Sequence, residues 1–215
     1  MIIGFLGKGG SGKSTLSTSF VHHLAERGMR VLAVDADHNM DMSFNLGAPE
    51  SMPYIGQGLS DILAHAGVSG YREIFALKET PRFSLSPIDP ITEKYSHLLP
   101  SGVRVMSTGP HTENILYDKS CSHSLVTPLK VFLPLLELAK DEKVVVDEKA
   151  GTDSVGTGVT TGFTFAVVAS EPTPHGMKAA KQISELLEFY GTPYALALNK
   201  SRDAKDIDAF RAFVG

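Results

Sequence analysis

An α/β domain built on a mostly parallel sheet, with helices on both faces, is the fold this sequence predicts. Three observations carry the prediction. Short apolar runs alternate with segments of helical period. The runs are apolar at successive positions, as strands covered on both faces must be. The first of them passes into a helix through a glycine-rich stretch, GKGGSGKS, from Gly7 to Ser14. With 215 residues, 42% of them hydrophobic, the chain can bury one sizeable core. Residues 1–215 therefore read as a single domain, and no repeat or low-complexity tract argues otherwise.

Taken in order, residues 2–6 (IIGFL) form the first strand. Residues 16–27 place Leu16, Phe20, Val21 and Leu24 on one helical face and stop at Gly28, a residue suited to a helix end. Residues 31–35 are a second strand with both faces apolar. Residues 36–102 are less regular and rich in Pro and Gly. They predict short helices at Leu59–Ala66 and 71–75 and a strand at 83–86. Further strands are expected at 103–107, 143–147, 163–169 and Tyr194–Leu198, and helices at 125–140, 177–190 and 204–213.

The glycine-rich stretch supplies the chemistry. Backbone with little steric restriction between a strand and a helix can curl so that successive N–H groups of Gly7, Gly9, Gly10, Ser11 and Gly12 point inward. The helix that follows adds the positive end of its dipole. A polyphosphate fits such a nest, with Lys13 on the β- and γ-phosphates and the Ser14 hydroxyl on Mg²⁺, Thr15 beside it. This is the pattern of a P-loop NTPase.

Other segments complete the site. KVVVD, ending at Asp147, is an apolar strand closing on a carboxylate, which places an acid near Mg²⁺, acting through a bound water. Asp35 ends the second strand and would support the metal or loop from behind, while Asp37 is the candidate for orienting the attacking water. His38 reads as a solvated loop residue. DEKAGTDSVGTG, from Asp147 to Gly158, is small-residue-rich and looks like a switch, with a backbone amide near Gly151 placed to meet the γ-phosphate. Asn199 can donate to and accept from a purine edge, and the Lys200 stem can cover the ring. Guanine selectivity by an NKxD pattern would need Asp at 202, where Arg202 stands, so ATP is expected rather than GTP.

A second lysine at the start of the loop, in GKGGxGK[ST], is the deviant Walker A signature. The chain therefore resembles the septum-site, plasmid-partition, arsenite-pump and nitrogenase iron proteins. The resemblance implies that Lys8 crosses a homodimer interface to the partner's phosphates, and that hydrolysis is slow and dimer-dependent. The stretches GKGGSGKSTLS with VDADHN, VRVMSTG, and VVVDEKAGTDSVGTG running into FAVVASEPTPHGMKAAKQI resemble the CooC carbon monoxide dehydrogenase maturation ATPases most. That implies nickel insertion into a client metalloenzyme. Those ATPases carry a C-x-C metal-binding pair where this chain has Cys121-Ser122-His123. Two chains would offer Cys₂His₂, a four-ligand set for Ni²⁺ or Zn²⁺. A buried free cysteine and an unrelated histidine is the other reading. The resemblance also implies another strand and helix after Asn199, so either an abbreviated protein or a missing end is expected.

Several classes are set aside. A net charge of −4 without long runs gives no strong nucleic-acid signal, and no apolar stretch has the length of a membrane span. The amino terminus opens on a strand rather than a signal peptide, and a single cysteine suits a reducing compartment; a cytoplasmic protein is expected. One cysteine per chain also cannot give the four thiolates of an iron–sulfur cluster shared by two subunits. The competing function is a positioning ATPase of the partition or septum-site kind, bound to DNA or a membrane-associated partner. A scaffold that binds nucleotide without turnover is a weaker third.

Overall fold

The computed structural model describes residues 1–70, 73, 77, 80–111, 122–156 and 158–214. The helix expected at 71–75 lies outside them apart from Glu73. Among the described residues the first half of the chain runs β1 (Ile2–Gly7), α1 (Lys13–Glu26), β2 (Arg30–Asp35), α2 (Asp41–Leu46), α3 (Leu59–Ala66), β3 (Phe83–Ser84), α4 (Pro90–Tyr95), β4 (Ser96–Leu98) and β5 (Arg104–Ser107). The second half runs α5 (Thr127–Phe132), β6 (Leu136–Glu137), β7 (Glu142–Asp147), α6 (Asp153–Gly156), β8 (Phe165–Ser170), α7 (Pro174–Phe189), β9 (Tyr194–Leu198) and α8 (Ala204–Val214).

The main sheet has the strand order β4-β5-β2-β7-β1-β8-β9. All neighbours are parallel except β4, which pairs antiparallel with β5 at the edge. Alternation along the strands sends side chains into separate layers. Val144 and Val146 join Leu32 and Val34 in a core with Ile55, Ile62, Phe83, Leu129 and Phe132. Val145 joins Ile3, Phe5 and Ala33 against Val21 of α1. A third cluster packs Leu6, Ala166 and Val168 under Ala180, Ile183 and Leu187 of α7, with Phe210 of α8.

Most expected elements form, with boundaries shifted by a few residues. α1 ends where Gly28, at φ +76°, lets its own N–H and that of Met29 reach back to the carbonyls of Ala25 and Leu24. Thr173 caps α7 by accepting the Gly176 N–H at 3.0 Å, with Pro174 at the first helical position.

One expected helix is corrected. Residues 125–140 are not a single helix: α5 stops at Phe132, and a single 3₁₀ turn, Leu133–Leu135, leads into β6. Pro134 cannot supply an N–H to a continuing helix, and Leu136–Glu137 is drawn into parallel pairing with β3. Four further elements, α2, α4, β4 and α6, were not foreseen. Asp89 caps α4 through the N–H groups of Ile91 and Thr92, at 2.8 and 3.0 Å, and the edge strand β4 follows it at once.

Candidate nucleotide-binding site

The carboxyl ends of β1, β2 and β7 lie side by side at the centre of the sheet, and the glycine-rich loop rises from β1 between them. Ligands of open parallel sheets bind at such an edge. The loop is held from several directions. Ser11 N–H donates to the Lys8 carbonyl at 3.1 Å, Gly151 N–H donates to the Gly7 carbonyl at 3.0 Å, and Asn199 Nδ2 donates to the Ser11 carbonyl at 2.9 Å. Gly12 sits at φ +91°, and a Cβ there would fall 2.2 Å from Asn199 Nδ2, so conformation and space both require glycine. α1 then begins without any side-chain cap, leaving its first N–H groups for a ligand.

The cleft so formed, about 430 Å³, is lined by Gly9, Gly10, Gly12, Lys13, Ser14, Thr15, Asp37, Asn39, Asp41, Ala150, Asn199 and Lys200. Two lysines of the loop part company here. Lys13 is 6% exposed and lines the cleft. The Lys8 side chain is 42% exposed, is not among the lining residues, and pairs with Glu171 Oε1 at 3.6 Å.

Beneath the loop lie three buried carboxylates. Asp147 is fully buried, and neither of its oxygens closes a hydrogen bond among the described residues. Burial pushes its pKa up to about 6, against the opposing pull of the nearby Ser14 hydroxyl and Lys13 ammonium. An unpartnered carboxylate beside a hydroxyl is a donor set that a hard divalent cation takes, so Ser14 and Asp147 fit Mg²⁺. Asp35 is opposite Asp147 in the sheet register. Burial raises its pKa to about 7, although it accepts the Ser43 N–H at 2.8 Å and the Asp37 N–H at 3.3 Å. Its oxygens are thus occupied in holding the loop between β2 and α2.

Glu148 is the residue that sequence reasoning missed. Its side chain is buried, Oε1 has no partner, and burial pushes its pKa up to about 8, with Asp147 and Asp37 adding to the rise. A signal was present: an acid directly after the strand-ending Asp147 continues the alternation of a strand with both faces buried.

The switch candidates also have definite partners. Asp37 lines the cleft and accepts the Asn39 N–H at 3.2 Å. Gly151 spends its amide on the Gly7 carbonyl, so that amide can meet a phosphate only by giving up the loop. Asn199 and Lys200 stand at the cleft, but their polar atoms serve the loop: Asn199 Oδ1 accepts the Lys200 N–H at 2.9 Å, and Lys200 Nζ donates to the Gly10 carbonyl at 2.6 Å. Asp203 accepts the N–H groups of Lys205 and Asp206 at the start of α8. His38 departs from its expected solvated state: it is 9% exposed, its ring meets that of His111 at a tilt, and burial holds its pKa below the ordinary 6.5. Asn39 and Glu171 fall inside the stretches VDADHN and FAVVASEPTPHGMKAAKQI without a role of their own, and Asp41 falls in none. Cys121 lies outside the described residues, as does the His123 side chain. Among the described residues no three His, Cys, Asp or Glu side chains converge as a metal site.

A strand, a glycine-rich turn, an uncapped helix and a buried lysine beside an unpartnered carboxylate define a P-loop nucleotide-binding domain. The chain belongs to the CobQ/CobB/MinD/ParA nucleotide binding domain family, which it matches over residues 2–207. It is 29% identical over 197 residues to the carbon monoxide dehydrogenase accessory protein CooC of Rhodospirillum rubrum, covering 89% of this chain and 70% of that protein. It is 28% identical over 213 residues to an ATP-binding protein of Methanocaldococcus jannaschii, covering 96% and 82%. The fold is shared with the cell division ATPase MinD of Pyrococcus furiosus at a TM-score of 0.67 and 18% identity, over 99% of this chain and 78% of that one. A ParA family ATPase of Chlorobium tepidum gives 0.62 at 19% identity, over 99% and 79%. ATP and Mg²⁺ are the ligands expected of such a domain. No described helix is long and apolar enough to cross a membrane.

Proposed function

We propose that this protein is an ATP-driven dimerisation switch that hydrolyses ATP slowly and as a dimer, and that it assists insertion of a metal, nickel by its similarity to CooC, into a client metalloenzyme such as carbon monoxide dehydrogenase. The observation that carries the switch is Lys8. It belongs to the phosphate-binding loop yet stays outside the cleft, half-exposed and paired at long range, 3.6 Å, with Glu171. A lysine so placed is free to serve a phosphate other than its own chain's.

Lys13 and the amides of Gly9 to Ser14 hold the β- and γ-phosphates. Ser14 and Asp147 would hold Mg²⁺, which would supply positive charge against the phosphate oxygens. Asp37 orients the water that adds to the γ-phosphorus as the bond to the bridging oxygen breaks and ADP leaves. Positioning and charge neutralisation dominate this reaction, so one carboxylate and two lysines suffice. Lys8 of each protomer adds charge across the interface, which makes turnover depend on the dimer. Gly151 exchanges its bond to the Gly7 carbonyl for the γ-phosphate and returns to it after hydrolysis. Cys121 and His123 from two chains would hold the metal ion while the dimer persists.

Sedimentation velocity with a non-hydrolysable ATP analogue tests the switch: the wild type should dimerise, and Lys8→Ala should bind the analogue and stay monomeric. Full dimerisation of Lys8→Ala would overturn it. Metal content by mass spectrometry tests the delivery step. The ATP-bound wild-type dimer should hold one more ion than the Cys121→Ser dimer; equal metal content in the two, with ATP-dependent pelleting on DNA or anionic vesicles, would move the function to the positioning class.

A further inference from the structure

Outside the nucleotide site, one pair of side chains is unexplained. β2 and β5 are parallel neighbours, with Asp35 opposite Ser107, and the loops that leave them run together: Thr108 N–H donates to the Asp35 carbonyl at 2.9 Å. This juxtaposition brings His38 from one loop against His111 from the other, ring centroids 4.5 Å apart and planes inclined at 44°. His38 is nine-tenths buried, and its Nδ1 is a buried polar atom without a hydrogen-bond partner among the described residues. An orphaned buried nitrogen costs free energy unless something takes its lone pair or its proton. His111, by contrast, is exposed, so the pair opens to solvent on one side.

We propose that His38 and His111 form a two-imidazole site for a divalent transition-metal ion beside the nucleotide cleft. Neutral imidazole is the ligand form, and burial of His38 together with its neighbour His111 favours that form. With metal–nitrogen bonds of about 2.0 Å, a ring centre lies about 3.2 Å from an ion it binds, so ring centres 4.5 Å apart are within reach of one shared ion. Imidazole is a ligand that suits Ni²⁺, Cu²⁺ and Zn²⁺ alike. Two charges face His38: Lys149 opposes a cation and Asp37 favours one. Because His38 follows Asp37, a bound ion would fix the residue that orients the attacking water, linking metal occupancy to the nucleotide site.

The site stands apart from Cys121 and His123, and equilibrium dialysis of the full chain against Ni²⁺ separates the two. The double variant Cys121→Ser/His123→Ala should retain one Ni²⁺ per chain. Adding His111→Ala, at an exposed position whose substitution spares the core, should weaken binding about tenfold or more, and His38→Gln should do the same. Loss of all Ni²⁺ from the double variant would overturn the proposal, as would undiminished affinity after His111→Ala.

Discussion

The two halves of the glycine-rich loop, residues 8–10 and 12–14, share one sequence motif and occupy opposite environments. The inner half is enclosed: Gly12 is pressed against Asn199, and Lys13 is buried above Asp147. The outer half is open: Gly9 and Gly10 are exposed, and Lys8 leans away toward Glu171. A buried lysine above a carboxylate has its charge balanced within its own chain. An exposed lysine on a weak ion pair does not. In the proposed switch Lys13 serves the chain's own phosphates, whereas Lys8, at the open end of the loop and outside the cleft, is left for a phosphate across the interface.

Lys13→Ala tests the inner half and carries the largest expected effect. It removes a charge-assisted contact to phosphate and leaves Asp147 facing the ligand without its nearest cation. Nucleotide affinity, measured by calorimetry, should fall about a hundredfold or more. Lys8→Ala tests the outer half. Its affinity for ATP at monomer concentrations should change by less than about threefold, because the exposed ammonium gains little from contacts in high dielectric, while turnover should fall toward background. Equal losses of affinity in the two variants would erase the distinction between the halves.

The carboxylates beneath the inner half sharpen the comparison through pH. Folded-state pKa values of Asp147, Asp35 and Glu148 stand near 6, 7 and 8, above the ordinary 3.8 and 4.5. Between those limits the folded state holds more protons than the unfolded state, so stability falls as pH rises from about 4 to about 8 and then levels. Thermal denaturation of the metal-free, nucleotide-free protein should show this decline. Asp147→Asn should reduce the slope and raise the melting temperature at pH 8, while weakening the Mg²⁺ dependence of ATP binding. A flat profile would mean that these acids are not held neutral by burial.

Legibility in the sequence followed the range of the interactions. The loop, the strand-ending Asp35 and Asp147, and the helix stop at Gly28 were readable because each is decided within a few residues by backbone freedom, apolar runs and turn preference. The break at Pro134 was readable in principle, but the apolar period of 125–140 outweighed it until β6 found its partner β3, far away in the chain. Glu171 had no signal, because its pairing with Lys8 joins the loops after β1 and β8, neighbours in the sheet but far apart in the chain. His38 was misjudged for the same reason: the residue that covers it, His111, arrives from the loop after β5. Asn199 was placed at the site, yet its role in clamping Ser11 across the chain could not be read from NKSRD.

That clamp sets the next effect in size. Asn199→Ala removes the hydrogen bond from Nδ2 to the Ser11 carbonyl and frees space beside Gly12. A lost hydrogen bond of this kind is worth about 1 kcal/mol, and nucleotide affinity should fall about fivefold through a looser inner half. Amide exchange at residues 11–13 should accelerate in the nucleotide-free variant. Unchanged exchange with lowered affinity would instead favour direct contact between Asn199 and the base.

Glu171→Gln acts on the outer half and has the smallest expected effect. The ion pair is long at 3.6 Å, and its partners' side chains are 42% and 20% exposed, so it contributes no more than about 1 kcal/mol and is screened by salt. Folding stability should therefore hardly move. The consequence lies elsewhere: with its charge partner gone, Lys8 gives up less to reach a second chain, and ATP-dependent dimerisation should strengthen by up to about fivefold at low ionic strength. The gain should vanish in Lys8→Ala/Glu171→Gln, because both halves of the cycle act through one ammonium. Stronger dimerisation that survived the loss of Lys8 would place the outer half's function in Glu171 itself, as an acid that repels the partner rather than a holder of the lysine.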